Sequence, residues 1–148
     1  MHRTHLRFDD FFPRVISSKT HSIIDYIHAG TNFAAAALFY RRGNSRAGHA
    51  AAALGASVLA NALMTDYEYG VFRVWNFKTH GVLDYGVAAA SAAVPQLLKI
   101  EDAPGSAFFY AQGGGETLIA GISDYTDNSG STRELLPARP RRRARRAA

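Results

Sequence analysis

The chain has 148 residues, enough for one domain with one core, and no cysteine, which excludes a disulfide framework and a thiolate metal site. The mean hydropathy of -0.13 and the net charge of +5 mislead as averages, because the polar residues sit mostly at the two ends. The first twenty residues lack a continuous apolar run and do not read as a secretory signal.

Residues 1–18 read as a polar N-terminal segment. Four mostly apolar stretches follow, at 23–40, 47–64, 81–100 and 106–122, each close to the length that crosses a bilayer as a helix. "RRGNSR" and "EDAPG" read as tight turns. The aromatic link at 68–77 is longer and reads as amphipathic. The tail at 126–148 ends in "PARPRRRARRAA", a basic run that reads as disordered, drawn to anionic lipid rather than to nucleic acid.

These stretches predict an all-α, four-helix transmembrane bundle over residues 19–125. A soluble, alanine-rich bundle is the competing reading. Charge placement favours the membrane. Arg3, Arg7, Arg14, Lys19, Arg73, Lys78 and the arginines of the tail fall on one side of a four-span layout. Only Arg41, Arg42, Arg46 and Lys99 fall on the other. The positive-inside bias then puts both termini in the cytoplasm. Tyr26, Tyr67, Tyr69, Trp75, Phe77, Tyr85 and Tyr125 gather near the cytoplasmic ends, as in an interfacial belt.

The chain repeats itself. "KTHSIIDY" at Lys19 returns as "KTHGVLDY" at Lys78, and "TDY" at Thr65 returns as "SDY" at Ser123. This predicts a duplicated helical hairpin, with repeat one at 19–67 and repeat two at 78–125. Two helices per repeat bring both repeats in from one side, related by an axis along the membrane normal.

His21 and Asp25 are one helical turn apart, and so are His80 and Asp84. Within each hairpin the end of the second helix should lie beside the start of the first. That places Asp66 and Tyr67 near His21 and Asp25, and Asp124 and Tyr125 near His80 and Asp84. The adopted reading is a structural polar clamp of His21, Asp25, Tyr26, Asp66, Tyr67, His80, Asp84, Tyr85, Asp124 and Tyr125. The same His21, Asp25, Asp66, His80, Asp84 and Asp124 are the candidates for a metal or proton site. Glu116 is an intramembrane charge with no acidic counterpart in repeat one. His28 and His49 are the candidates for haem or chlorophyll-type pigment, although no cofactor is expected. No nucleophile, base and oxyanion set is visible, so the chain reads as non-enzymatic. The expected role is a structural or accessory subunit of a larger membrane complex. The alternative is a small transporter or an ion- or proton-binding protein that uses the His/Asp pairs and Glu116.

Thr65 to Glu68 with Gly70, and His80 with Asp84, carry a resemblance to small bacterial four-span membrane proteins of the SPW-repeat type. The resemblance covers residues 19 to 125. It implies paired helical hairpins in a bacterial cytoplasmic membrane and no established chemistry.

Overall fold

The computed structural model describes residues 13–127 and 131. Residues 1–12 of the N-terminal segment and nearly all of the basic tail lie outside the described residues, and with them the expected contact of the tail with lipid.

Four helices form: α1 (Ser18–Arg41), α2 (Ser45–Met64), α3 (Phe77–Leu97) and α4 (Ala103–Ile122). All four begin before the apolar runs do, because each start is set by a cap. Ser17, Asn44, Asn76 and Asp102 each accept a hydrogen bond from the backbone N–H three residues on. Pro104 sits in the first turn of α4, where a missing N–H costs nothing.

The two repeats differ in one place. α1 has 24 residues and α3 has 21. The loop after α3 is correspondingly longer, and Lys99 turns it with a φ of 51°. α2 and α4 are both 20 residues long. The change in register within repeat two is thus a shortened helix with a lengthened loop.

Two short parallel pairings close the molecule at the end where α1 and α3 begin. β1 (Thr65–Asp66), after α2, pairs with β2 (Trp75–Asn76), before α3. Ser123, after α4, pairs with Ile16, before α1. The segment leaving each hairpin is therefore stitched to the segment entering the other. At the opposite end the two caps Asn44 and Asp102 meet, Asn44 Nδ2 donating to Asp102 Oδ1 at 2.7 Å.

Within each hairpin a glycine lets the helices touch. A Cβ on Gly55 would lie 3.2 Å from the Ala29 carbonyl oxygen, and one on Gly113 would lie 2.8 Å from the Ala88 carbonyl oxygen. The core is layered. Ala36, Phe39, Ala47, Ala51, Leu54 and Phe109 fill the end near the short loops. Ala62, Tyr67 and Phe77 form a second cluster near the repeated phrases. Between and around them the inward positions are polar: His21, Asp25, Asn32, Asn61, His80, Asp84, Ser91 and Glu116 are all buried. The outward positions carry Ile23, Ile27, Phe33, Leu38, Val82, Leu83 and Leu118.

The all-helical architecture is that read from the sequence. Taken by length and composition alone, however, one described helix, α2, is apolar enough to cross a membrane. α1 and α3 each carry a His/Asp pair and a lysine, and α4 carries Glu116, which keeps them from passing by hydropathy.

Candidate functional site

The duplicated phrases converge on one centre. His21 and Asp25 come from the first turns of α1, and His80 and Asp84 from the first turns of α3. The i, i+4 spacing puts each histidine over its own aspartate. His21 Nε2 lies 3.3 Å from Asp25 Oδ1 and 3.2 Å from Asp84 Oδ2. His80 Nε2 lies 3.3 Å from Asp25 Oδ2 and 3.1 Å from Asp84 Oδ2. The two Nε2 atoms are themselves 3.1 Å apart. All four side chains are at most 3 % exposed. Phe77 closes one side, its ring centroid 5.0 Å from that of His21 in an edge-on contact.

The far side of each imidazole is held by the other repeat. His21 Nδ1 lies 2.6 Å from Ser123 Oγ, and His80 Nδ1 lies 2.8 Å from Thr65 Oγ1. Each hydroxyl spends its own proton on a backbone carbonyl one turn back: Ser123 on Ile119 and Thr65 on Asn61. Each hydroxyl oxygen can then only accept, so each Nδ1 carries a proton and donates it. The aspartates are held by their own hairpins and by α2. Tyr67 Oη donates to Asp25 Oδ2 at 2.7 Å, and Tyr125 Oη to Asp84 Oδ2 at 3.5 Å. Asn61 Nδ2 donates to Asp84 Oδ1 at 2.9 Å. Trp75 Nε1 donates to both Asn61 Oδ1 and Thr65 Oγ1. Burial, and then the Asp25 carboxylate, push the Tyr67 hydroxyl far above its ordinary range, so it stays a donor.

This is one centre, where the spacing predicts two clamps, one per hairpin. The tyrosines of the "TDY" and "SDY" phrases reach the aspartates of their own repeats as expected. The histidines touch their own aspartates and also cross to the partner repeat. Asp66 and Asp124 do not enter the centre. Asp66 pairs with Arg73 at 3.0 Å and accepts from Ser131. Asp124 accepts from the Thr126 hydroxyl and amide, which lower its pKa. They point away because the backbone is extended there, and neighbouring side chains alternate sides. Tyr26 Oη donates to the Tyr69 carbonyl, and Tyr85 is 45 % exposed on α3.

Thr65, Ser123, Asn61 and Trp75 are absent from the set read from the sequence. The signal for two of them was present: Thr65 and Ser123 open the second shared phrase, at the alternate position to the tyrosines.

Glu116 meets His28 across the α1/α4 interface, with His28 Nδ1 2.7 Å from Glu116 Oε2. They line a cleft of about 210 Å³ together with Thr31 and Gln112. The equivalent cleft between α2 and α3, about 340 Å³, has Val87 in the place of His28. His49 is exposed on α2, its ring edge-on to Tyr40 at 5.3 Å.

Set beside family models, curated proteins and solved structures, the chain matches none of them.

Proposed function

We propose that this chain is a non-enzymatic, multi-pass integral membrane protein of four spans that serves as a structural or accessory subunit. The observation that carries this reading is the inverted polarity of the bundle. The His, Asp and Glu side chains of the helix interiors face inward and are paired, while Ile23, Ile27, Phe33, Leu38, Val82, Leu83 and Leu118 face outward. In water this arrangement exposes apolar surface and buries charge at a cost. In hydrocarbon the outward face is at home, and the inward His, Asp and Glu side chains are satisfied by one another. Basic residues at the helix ends agree: Arg14, Lys19, Arg73 and Lys78 lie near the polar centre, and Arg41, Arg42, Arg46 and Lys99 lie at the other end.

The accessory role is supported by glycines on the outer surface. Gly30, Gly86, Gly114 and Gly115 have open space over their Cα atoms, which allows a helix of another subunit to approach closely. A carbonate wash of membranes tests the first part: the protein should stay in the pellet, and release into the supernatant would defeat the spanning reading. Copurification in mild detergent tests the second. A stoichiometric membrane partner should be retained and then lost in Gly114→Phe; a monodisperse lone chain would count against the subunit role.

The second reading, an ion-binding membrane protein, is favoured by one specific observation: both Nε2 atoms and an Asp25 carboxylate oxygen gather into one compact, buried ligand set.

A further inference from the structure

We propose that His21, Asp25 and His80 hold one divalent first-row transition ion of the zinc type, as a buried structural site that locks the two repeats. The inference goes beyond the accessory role and does not depend on whether the chain spans a membrane.

Hydrogen-bond direction is the first argument. Ser123 and Thr65 give their only protons to the Ile119 and Asn61 carbonyls. Both Nδ1 atoms must therefore donate, which leaves the lone pair of each neutral imidazole on Nε2. Those lone pairs face each other at 3.1 Å and face carboxylate oxygens at 3.1 to 3.3 Å. Four groups that can only accept are thus aimed together, with two negative charges and no solvent. Something positive must sit among them. Two protons, one on each Nε2, would supply the charge, but they would set two imidazolium cations against each other with facing nitrogens 3.1 Å apart. One ion of charge +2 supplies the same charge at a single point.

Distance is the second argument. Ligand atoms about 2.0 to 2.1 Å from a tetrahedral ion lie about 3.3 Å from one another. His21 Nε2, His80 Nε2 and an Asp25 oxygen form a compact ligand set, and Asp84 Oδ2 lies within 3.2 Å of both nitrogens.

The surroundings are the third. Metal-bound histidines characteristically donate their other N–H to a fixed acceptor, and bound carboxylates are themselves hydrogen-bonded. Here Ser123 and Thr65 fix the imidazoles, while Tyr67 and Asn61 fix the carboxylates. Two imidazoles with a carboxylate suit zinc, cobalt or nickel and disfavour magnesium and calcium, which take oxygen ligands. Full burial leaves no route for a substrate water, so the site is of the structural kind.

The test uses the full chain, purified without a histidine tag in detergent. Metal content is measured as isolated, zinc affinity by competition with a chromophoric chelator, and cobalt binding by visible absorption. The expected result is one equivalent per chain, with visible cobalt bands more intense than those of the hydrated ion. A lower melting temperature after chelation, restored by zinc, should accompany them. Ser123→Ala should bind zinc about 10- to 100-fold more weakly while staying folded, since it removes only an orienting acceptor. His49→Ala should bind as the wild type does. Asp25→Asn should abolish stoichiometric binding. A wild type with no bound metal, no zinc affinity and a melt indifferent to chelator would overturn the proposal and leave a protonated clamp. So would stoichiometric binding that survives in Asp25→Asn, because the ion would then lie elsewhere.

Discussion

His21 Nε2 and His80 Nε2 lie 3.1 Å apart although 59 positions separate them in the chain. They occupy the same place in the two repeats, so the approximate two-fold axis passes between them. Whatever is attached to one histidine therefore has a counterpart on the other, and the predictions below come in pairs.

The first concerns the aspartates. Asp25→Ala and Asp84→Ala each leave two imidazoles without one of their two carboxylates. Each should destabilise by about 3 to 5 kcal/mol, the usual cost of breaking a buried ionic group. Because both touch both histidines, the double variant should cost less than the sum of the singles. Thermal or denaturant melts in detergent measure this cycle; simple additivity would mean that the two repeats carry separate clamps after all.

The second concerns the hydroxyls. Ser123→Ala and Thr65→Val each orphan a buried Nδ1–H, at a cost of about 1 to 3 kcal/mol. Thr65→Val should cost more, because Thr65 Oγ1 also accepts from Trp75 Nε1. It should also change the fluorescence of Trp75, the single tryptophan, which Ser123→Ala should leave alone.

The third concerns the pair that breaks the symmetry. Glu116→Gln keeps an acceptor for His28 and should cost less than Glu116→Ala, which leaves a half-buried imidazole facing an apolar gap. Equal melting temperatures for the two variants would show that the 2.7 Å contact contributes nothing to stability.

The fourth separates three neighbouring glycines. Gly113→Ala drives a Cβ against the Ala88 carbonyl and should destabilise by about 1 to 3 kcal/mol. Gly114→Ala and Gly115→Ala meet open space, and the gain in helix propensity, up to about 1 kcal/mol, should leave them neutral or stabilised. Gly55→Ala, at the position equivalent to Gly113, should fall between, since its nearest backbone oxygen is farther away.

The fifth tests the orientation that goes with the membrane proposal. Reporter fusions after residues 44 and 103 should report the non-cytoplasmic side, and fusions near residue 72 and at the C-terminus the cytoplasm. A cytoplasmic signal from residue 44 would remove the four-span topology while leaving the bundle itself intact.

Local chemistry decided the elements from the sequence alone. Ser17, Asn44, Asn76 and Asp102 set four helix starts, because a cap acts on the N–H groups just ahead of it. The i, i+4 spacing put His21 on Asp25 and His80 on Asp84, and the antiparallel hairpin brought Tyr67 to Asp25. Only the tertiary structure decided that the two halves share one centre. That depends on how the hairpins dock, which is set by Ile16 pairing with Ser123 and Thr65 pairing with Trp75. These pairings exchange the exit of one repeat for the entry of the other, and no spacing within a repeat encodes them. The exchange carries Thr65 and Ser123 across to the opposite histidines and leaves Asp66 on Arg73 and Asp124 on Thr126, outside the centre. Tertiary packing likewise gave Glu116 its partner, since His28 sits on a helix 88 positions earlier and only the α1/α4 contact joins them.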